Sequence, residues 1–273
     1  MRPDSATVFA DKAEVYATHR PDHPDLVIEA LNDRFEPGIV IADVGAGTGR
    51  LSQRLARAGF TVKLIEPNLQ MRQIATERLA GDKELASREP VTVLAGEAKQ
   101  TQLADSSVDL VVAGNSAHWF LDDLAPTLAE FRRILKPGGQ VAIVYTLKDE
   151  SSPITQALDK MLRQNCPEYC YGTIGLMNHR FDAPNLPIGV AAQYLQSPID
   201  TTTHTFQRDY SWNDFETLLR TYAFFPRETA PAEELLVRLR ALFDQFVDSV
   251  LGDPQAQTIR IGWTTYLQIS TPR

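Results

Sequence analysis

IADVGAGTGRLSQRL, Ile41 to Leu55, carries glycines at alternate positions, Gly45, Gly47 and Gly49, directly behind the apolar run Ile39–Val44. A glycine turn between a strand and a helix presents backbone N–H groups without Cβ obstruction, which suits an anionic or nucleotide-like ligand. The spacing is not that of a dinucleotide fingerprint, G-x-G-x-x-G, because Arg50 stands three residues after Gly47. Nor does the turn end in the Gly-Lys-Ser/Thr of a phosphate-binding P-loop. The stretch reads D-x-G-x-G-x-G, and the rest of the chain decides its ligand.

Outward from this turn, apolar strands alternate with amphipathic helices. LSQRLARAG (51–59) is helical, TVKLIEP (61–67) a strand, and NLQMRQIATERLAG (68–81) places Met71, Ile74, Ala75 and Leu79 at helical spacing. VTVLAGEA (91–98) and SVDLVVAGNSAHWF (107–120) give the third and fourth strands with their loops. DDLAPTLAEFRRIL (122–135) follows as a helix, KPGG (136–139) reads as a turn, and QVAIVYT (140–146) as the fifth strand. Short continuous apolar strands between amphipathic helices predict a doubly wound α/β fold whose parallel sheet is covered on both faces. Ligands then lie at the carboxyl ends of the strands.

Beyond residue 148 the periodicity weakens in a proline-rich stretch, 149–197, with one clear helix around Gln156–Gln164. A strand, TTTHTFQRDY (201–210), and two helical runs (212–225 and 231–251) come next. IRIGWTTYLQIST (259–271) alternates with period two, placing Ile259, Ile261, Trp263, Thr265, Leu267 and Ile269 on one side. At 273 residues this is one domain: a segment 1–37, a core 38–148, an insertion 149–197 and a C-terminal part 198–273.

A net charge of −8, from 27 basic and 35 acidic residues, argues against a nucleic-acid partner, since phosphate binding needs a basic surface. No apolar run of 18 residues occurs, so no membrane span is expected. The N-terminus lacks a signal-peptide core, which points to a cytoplasmic protein. Cys166 and Cys170 stand in CPEYC without a second pair, and no metal site is expected of them.

DVGAGTGRL, LIEPNLQM, GEA after the third strand, NSAHWF after the fourth and RRILKPGGQVAIV resemble the class I S-adenosylmethionine-dependent methyltransferases, in particular their small-molecule (type 11) branch. The resemblance implies a Rossmann-like seven-stranded sheet of order 3-2-1-4-5-7-6 with the last strand antiparallel, and a helical lid inserted after strand 5. It implies S-adenosyl-L-methionine as cofactor and a small-molecule acceptor, in a monomer or homodimer. Asp43, Gly45, Ala46 and Gly47 then line the methionine part of the cofactor. Glu66, 17 residues beyond Gly49, accepts from the ribose hydroxyls, as an acidic residue does in dinucleotide folds. Pro67, Met71, Glu97 and Ala98 line the adenine, and Asn115 contacts the cofactor from strand 4. Tyr16 and Arg20, in FADKAEVYATHRPDHPDLV, match an N-terminal element that folds over it. Trp119 and Trp263 are candidates for the acceptor side.

His118 is the candidate catalytic residue. It follows strand 4 in NSAHWF, and an imidazole titrating near ~6.5 can take a proton at neutral pH. Two other functions compete: a cofactor-binding module without turnover, and a nucleic-acid methyltransferase. The latter is disfavoured because GNSAHWF holds no proline where amino-methylating DNA enzymes carry Pro-Pro.

Overall fold

A computed structural model describes residues 25–85, 90–149, 151–166, 186–222, 225, 230–250 and 257–273. The run ahead of the glycine turn forms β1 (Val40–Val44), preceded by α1 (Asp25–Asn32). In order follow α2 (Arg50–Arg57), β2 (Thr61–Ile65), α3 (Leu69–Ala80), β3 (Val91–Leu94), β4 (Val108–Gly114), a 3-10 helix (Ala117–Asp123), α4 (Leu124–Ile134) and β5 (Leu135–Lys148). The C-terminal part consists of α5 (Pro153–Asn165), α6 (Leu186–Tyr194), β6 (Asp200–Ser211), α7 (Trp212–Arg220), α8 (Ala230–Val250) and β7 (Thr258–Ser270).

The seven strands form one sheet of order β3-β2-β1-β4-β5-β7-β6. The first five pair in parallel, and β7 runs antiparallel to both β5 and β6. Because successive side chains leave a strand on opposite faces, each central strand serves two cores. Ala42, Val111, Ala113, Ile143 and Tyr145 pack under α4 and α6. Ile41, Leu110, Val112, Ala142 and Val144 pack on the opposite face with Val27 and Leu31 of α1 and Leu51 and Leu55 of α2. Each fully buried Leu, Ile or Val of this kind stabilises the fold by roughly 1.5–3 kcal/mol, so the two-sided core fixes the sheet on which the site stands.

The alternation along β7 separates its roles. Ile259, Ile261 and Trp263 join a third cluster with Leu158, Phe215, Leu239 and Phe243 of the C-terminal helices, whereas Leu267 and Ile269 reach the core beneath α1.

Three elements differ from the sequence reading. KPGG is not a free turn: β5 starts at Leu135, which pairs with Val108, and the register shifts before Leu110 meets Gln140. Gly138, at φ +81°, supplies the left-handed residue that lets the strand absorb this bulge. Leu186–Tyr194 is helical, although its sequence has almost no amphipathic period. Its Val190, Ala191 and Tyr194 are held by burial against the sheet. The helix expected at Gln156–Gln164 begins earlier, at Pro153, where Ser152 caps the Thr155 N–H and proline fits the first turn.

Candidate active site

Asp43 is the penultimate residue of β1, and beyond Val44 the chain turns through three glycines in the left-handed region: Gly45 at φ +68°, Gly47 at +57° and Gly49 at +73°. Their surroundings differ. A Cβ at Gly45 would lie 2.8 Å from Ser116 Cβ and 2.9 Å from Phe120 Cζ, so side chains of the loop after β4 pack directly on the Gly45 backbone. At Gly49 a Cβ would meet Ala75 Cβ at 3.0 Å, which is the close approach of α3. A Cβ at Gly47 would meet no heavy atom within 4 Å among the described residues: on that side this glycine faces open space. The turn is tied down by the N–H groups of Gly45 and Ala46, which both donate to the Ile65 carbonyl (2.9 and 3.1 Å), and by Arg78 Nε, which donates to the Thr48 carbonyl (3.1 Å).

Two carboxylates bracket this turn from below. Glu66, just past β2 and buried, accepts from the Gly47 N–H at 2.8 Å through one oxygen and from the Asn68 N–H at 2.9 Å through the other. Burial raises its pKa, and the two backbone N–H groups and Arg72 pull it partly back. Arg72 also donates to the Glu66 and Pro67 carbonyls, both at 2.7 Å. Asn68 caps α3 by accepting from the Met71 N–H, which seats buried Met71 and half-buried Pro67 beside Glu66. Asp43 is buried and accepts from Ser52 Oγ of α2 at 2.6 Å. Desolvation raises its pKa to about 7; the Ser52 hydrogen bond opposes the rise and the Glu66 charge adds to it.

The loop after β4 closes the third side. Asn115, at φ +52°, accepts through Oδ1 from the Thr146 N–H (2.9 Å) and donates its own N–H to the Val144 carbonyl (2.8 Å). Ser116 Oγ donates to the Val44 carbonyl at 2.7 Å. His118 is buried; its backbone N–H donates to the Tyr145 hydroxyl at 2.9 Å, and its Nδ1 lies 3.0 Å from the same oxygen. Tyr194 of α6 donates to the Ala117 carbonyl at 2.8 Å. Burial pushes the hydroxyls of Tyr145 and Tyr194 well above the ordinary phenol pKa.

The fold therefore brings Asp43, Gly45, Ala46, Gly47, Glu66, Asn115 and His118 to the carboxyl ends of β1, β2 and β4, at the strand order's reversal point, where ligands of open α/β sheets bind. Half-buried Trp119 stands beside His118, ring centroids 5.2 Å apart. Ala98 is buried in the core below α4, while the Glu97 carboxylate is exposed and 3.6 Å from Lys99 Nζ. Trp263 is buried among the C-terminal helices, in register with Lys148 at the end of β5. Tyr16 and Arg20 lie outside the described residues, as does part of the expected lid. Sequence reasoning missed Ser52, Tyr145 and Tyr194. Ser52 stands one residue beyond Leu51 on the first helical turn, while the two tyrosines look like ordinary apolar positions.

The family model described as a methyltransferase domain matches residues 42–143, from the middle of β1 to the middle of β5. This stretch of the chain is similar to that methyltransferase family. The chain is 29% identical over 245 residues to a protein of Schizosaccharomyces pombe named an uncharacterized methyltransferase, a match covering 89% of this chain and 86% of that one. It is 32% identical over 150 residues to an uncharacterized methyltransferase of Mycobacterium tuberculosis, covering 55% of this chain and 56% of that one. Among solved structures, a Geobacter sulfurreducens methyltransferase in complex with S-adenosyl-L-homocysteine shares the fold at TM-score 0.53 and 18% identity, over 99% of each chain. The matched stretch thus includes every strand end that contributes to the site except the end of β5.

Proposed function

We propose that this protein is a methyltransferase that holds S-adenosyl-L-methionine against the glycine turn and passes its methyl group to a small-molecule acceptor. The observation that carries this reading is the open space over Gly47, beside a buried carboxylate, Glu66, that already grips the Gly47 N–H. That is a cradle in which a Cβ would stand where a ligand belongs. When bound, the cofactor supplies an electrophilic methyl group on a sulfonium.

The residues fit such a guest. Glu66 keeps lone pairs beyond its two backbone partners and can accept from vicinal hydroxyls. Pro67 and Met71 sit next to it for the adenine, with Ala98 and Glu97 past β3 as the remaining adenine-side positions. Asp43, poised near neutrality, gains by ionising beside a cation. Gly45, Ala46 and Asn115 supply backbone at close range. Tyr16 and Arg20, outside the described residues, are assigned to the cofactor by the family resemblance alone.

Methyl transfer needs nucleophile, carbon and sulfur in line, so the chain's main contribution is positioning and water exclusion. His118 contributes the ionisable side chain of the loop that touches the glycine turn, with Trp119 beside it and Trp263 across the C-terminal part for the acceptor. Where the proton sits on that ring decides whether His118 takes a proton from the acceptor or donates a hydrogen bond to it. The acidic balance of the chain, −8, favours a small molecule over a nucleic acid.

The test is release of S-adenosylhomocysteine from S-adenosylmethionine across a panel of carboxylic acids, phenols, amines and acidic carbon compounds. Acceptor-dependent release supports the reading. Cofactor binding without release on any acceptor would favour a regulatory module, and release only with DNA or RNA would overturn the small-molecule assignment.

A further inference from the structure

We propose that Tyr145 is a positioning residue that fixes His118 as the tautomer protonated on Nε2, making His118 a hydrogen-bond donor to whatever it meets and not the general base. The proposal rests on the methyltransferase reading for its consequence, but its geometry stands without it.

The Tyr145 hydroxyl has one proton and two lone pairs. One lone pair takes the His118 backbone N–H at 2.9 Å, a bond whose direction is not in doubt because an amide nitrogen only donates. Among the described residues the hydroxyl meets one further polar atom, His118 Nδ1 at 3.0 Å. Tyr145 is 2% exposed, so water offers its proton no alternative. Burial also keeps the phenol protonated far beyond neutral pH, so there is a proton to place. If Nδ1 carried a hydrogen, it would donate to the oxygen and strand the phenol proton without an acceptor. If Nδ1 is bare, it receives that proton and every group in the triangle is satisfied. A stranded buried donor is disfavoured by roughly ten- to a hundredfold in population, so the neutral ring carries its hydrogen on Nε2.

The loop has little freedom to escape this triangle. Tyr194 of α6 pins the carbonyl of the preceding residue, Ala117, at 2.8 Å, and Ser116 is bonded to the Val44 carbonyl at 2.7 Å. Backbone and ring of His118 are thus held by the same tyrosine oxygen, and Nε2 is the nitrogen that carries the ring's hydrogen. The acceptor class that follows is one already nucleophilic at neutral pH and able to receive a hydrogen bond, such as a carboxylate or an acidic enolate. An alcohol, which must surrender its proton as it is methylated, does not fit.

Nitrogen NMR of the full chain labelled with ¹⁵N-histidine tests this, with the His118 ring assigned by the signals lost in His118→Gln. At about pH 8, where a free imidazole is neutral, wild type should show Nδ1 as an unprotonated acceptor and Nε2 as the protonated nitrogen. Tyr145→Phe should raise the Nδ1-protonated population by about tenfold. A protonated Nδ1 in wild type, or an unchanged ring in Tyr145→Phe, would overturn the proposal. Should Tyr145→Phe fail to fold, the wild-type spectrum alone decides. Calorimetry with S-adenosylhomocysteine on the same sample separates the two levels: lost cofactor binding would defeat the methyltransferase reading and leave the tautomer result standing.

Discussion

Gly45 and Gly47 are two residues apart in one turn, yet replacing each by alanine should have different consequences. Both sit in the left-handed region, where a Cβ costs roughly 1–2 kcal/mol. At Gly45 the new methyl would lie 2.8 Å from Ser116 Cβ and 2.9 Å from the Phe120 ring. Relieving that overlap requires separating the glycine turn from the loop after β4, which adds about 1–3 kcal/mol of overpacking. The sum for Gly45→Ala is a loss of roughly 2–5 kcal/mol in unfolding free energy. At Gly47 the new methyl would meet no atom of the described residues within 4 Å, so the backbone penalty alone applies. If the cofactor occupies the space above Gly47, however, Gly47→Ala should bind S-adenosylhomocysteine at least tenfold more weakly while remaining folded. Urea unfolding and calorimetry on the two variants give both numbers. The reasoning fails if Gly47→Ala keeps full affinity, or if it unfolds as readily as Gly45→Ala.

Three further outcomes follow from the carboxylates. Glu66→Gln replaces an acceptor by an amide that cannot satisfy both the Gly47 and Asn68 N–H groups, so it should lower unfolding free energy by about 1–3 kcal/mol and weaken cofactor affinity as well; unchanged affinity would show that the ribose is held elsewhere. Desolvation raises the Asp43 pKa from 3.8 to about 7 in the fold, so its protonated form is the favoured one, and the stability it confers is fully present below about pH 3.8 and lost as pH rises through about 7. Unfolding profiles of Asp43→Asn should lack that decline, and binding of S-adenosylhomocysteine to wild type should release a proton near neutrality, seen as a buffer-dependent calorimetric enthalpy. Glu130 is held down to about 2 by the Arg133 guanidinium and by Thr101, against an ordinary 4.5, so its contribution exists above about pH 4.5 and disappears as pH falls toward 2. The stability gap between wild type and Glu130→Gln should close over that window; a gap independent of pH would refute the assignment.

How much of this could be read from the chain depends on how local the cause is. The strands around Asp43, Leu64, Val111 and Ile143 are buried on both faces, and a continuous apolar run says so directly. The period-two signal in Ile259–Ile269 likewise survives because β7 meets different helices along one face. KPGG misleads, because Pro and Gly signal a turn locally while the pairing of Leu135 with Val108 draws the segment into β5. In the site, the glycines announce a tight turn, but which glycine faces a neighbour and which faces a ligand depends on Ser116 and Phe120, some 70 residues away in sequence. Glu66 is legible as a strand-end carboxylate, although its grip on the Gly47 N–H is not. Tyr145 is the extreme case. Within QVAIVYT it reads as one more core residue, and only the folded loop after β4 brings His118 to its hydroxyl.

The central claim is that the D-x-G-x-G-x-G turn between β1 and α2 is a sulfonium-cofactor site in a sheet that otherwise resembles a dinucleotide fold. Calorimetric titration of the full chain with S-adenosylmethionine, S-adenosylhomocysteine and NAD tests it in one experiment. The account predicts saturable binding of both sulfur compounds, one per chain, weakened by Gly47→Ala, with no binding of NAD. Tight NAD binding in the absence of any affinity for S-adenosylmethionine or S-adenosylhomocysteine would contradict it.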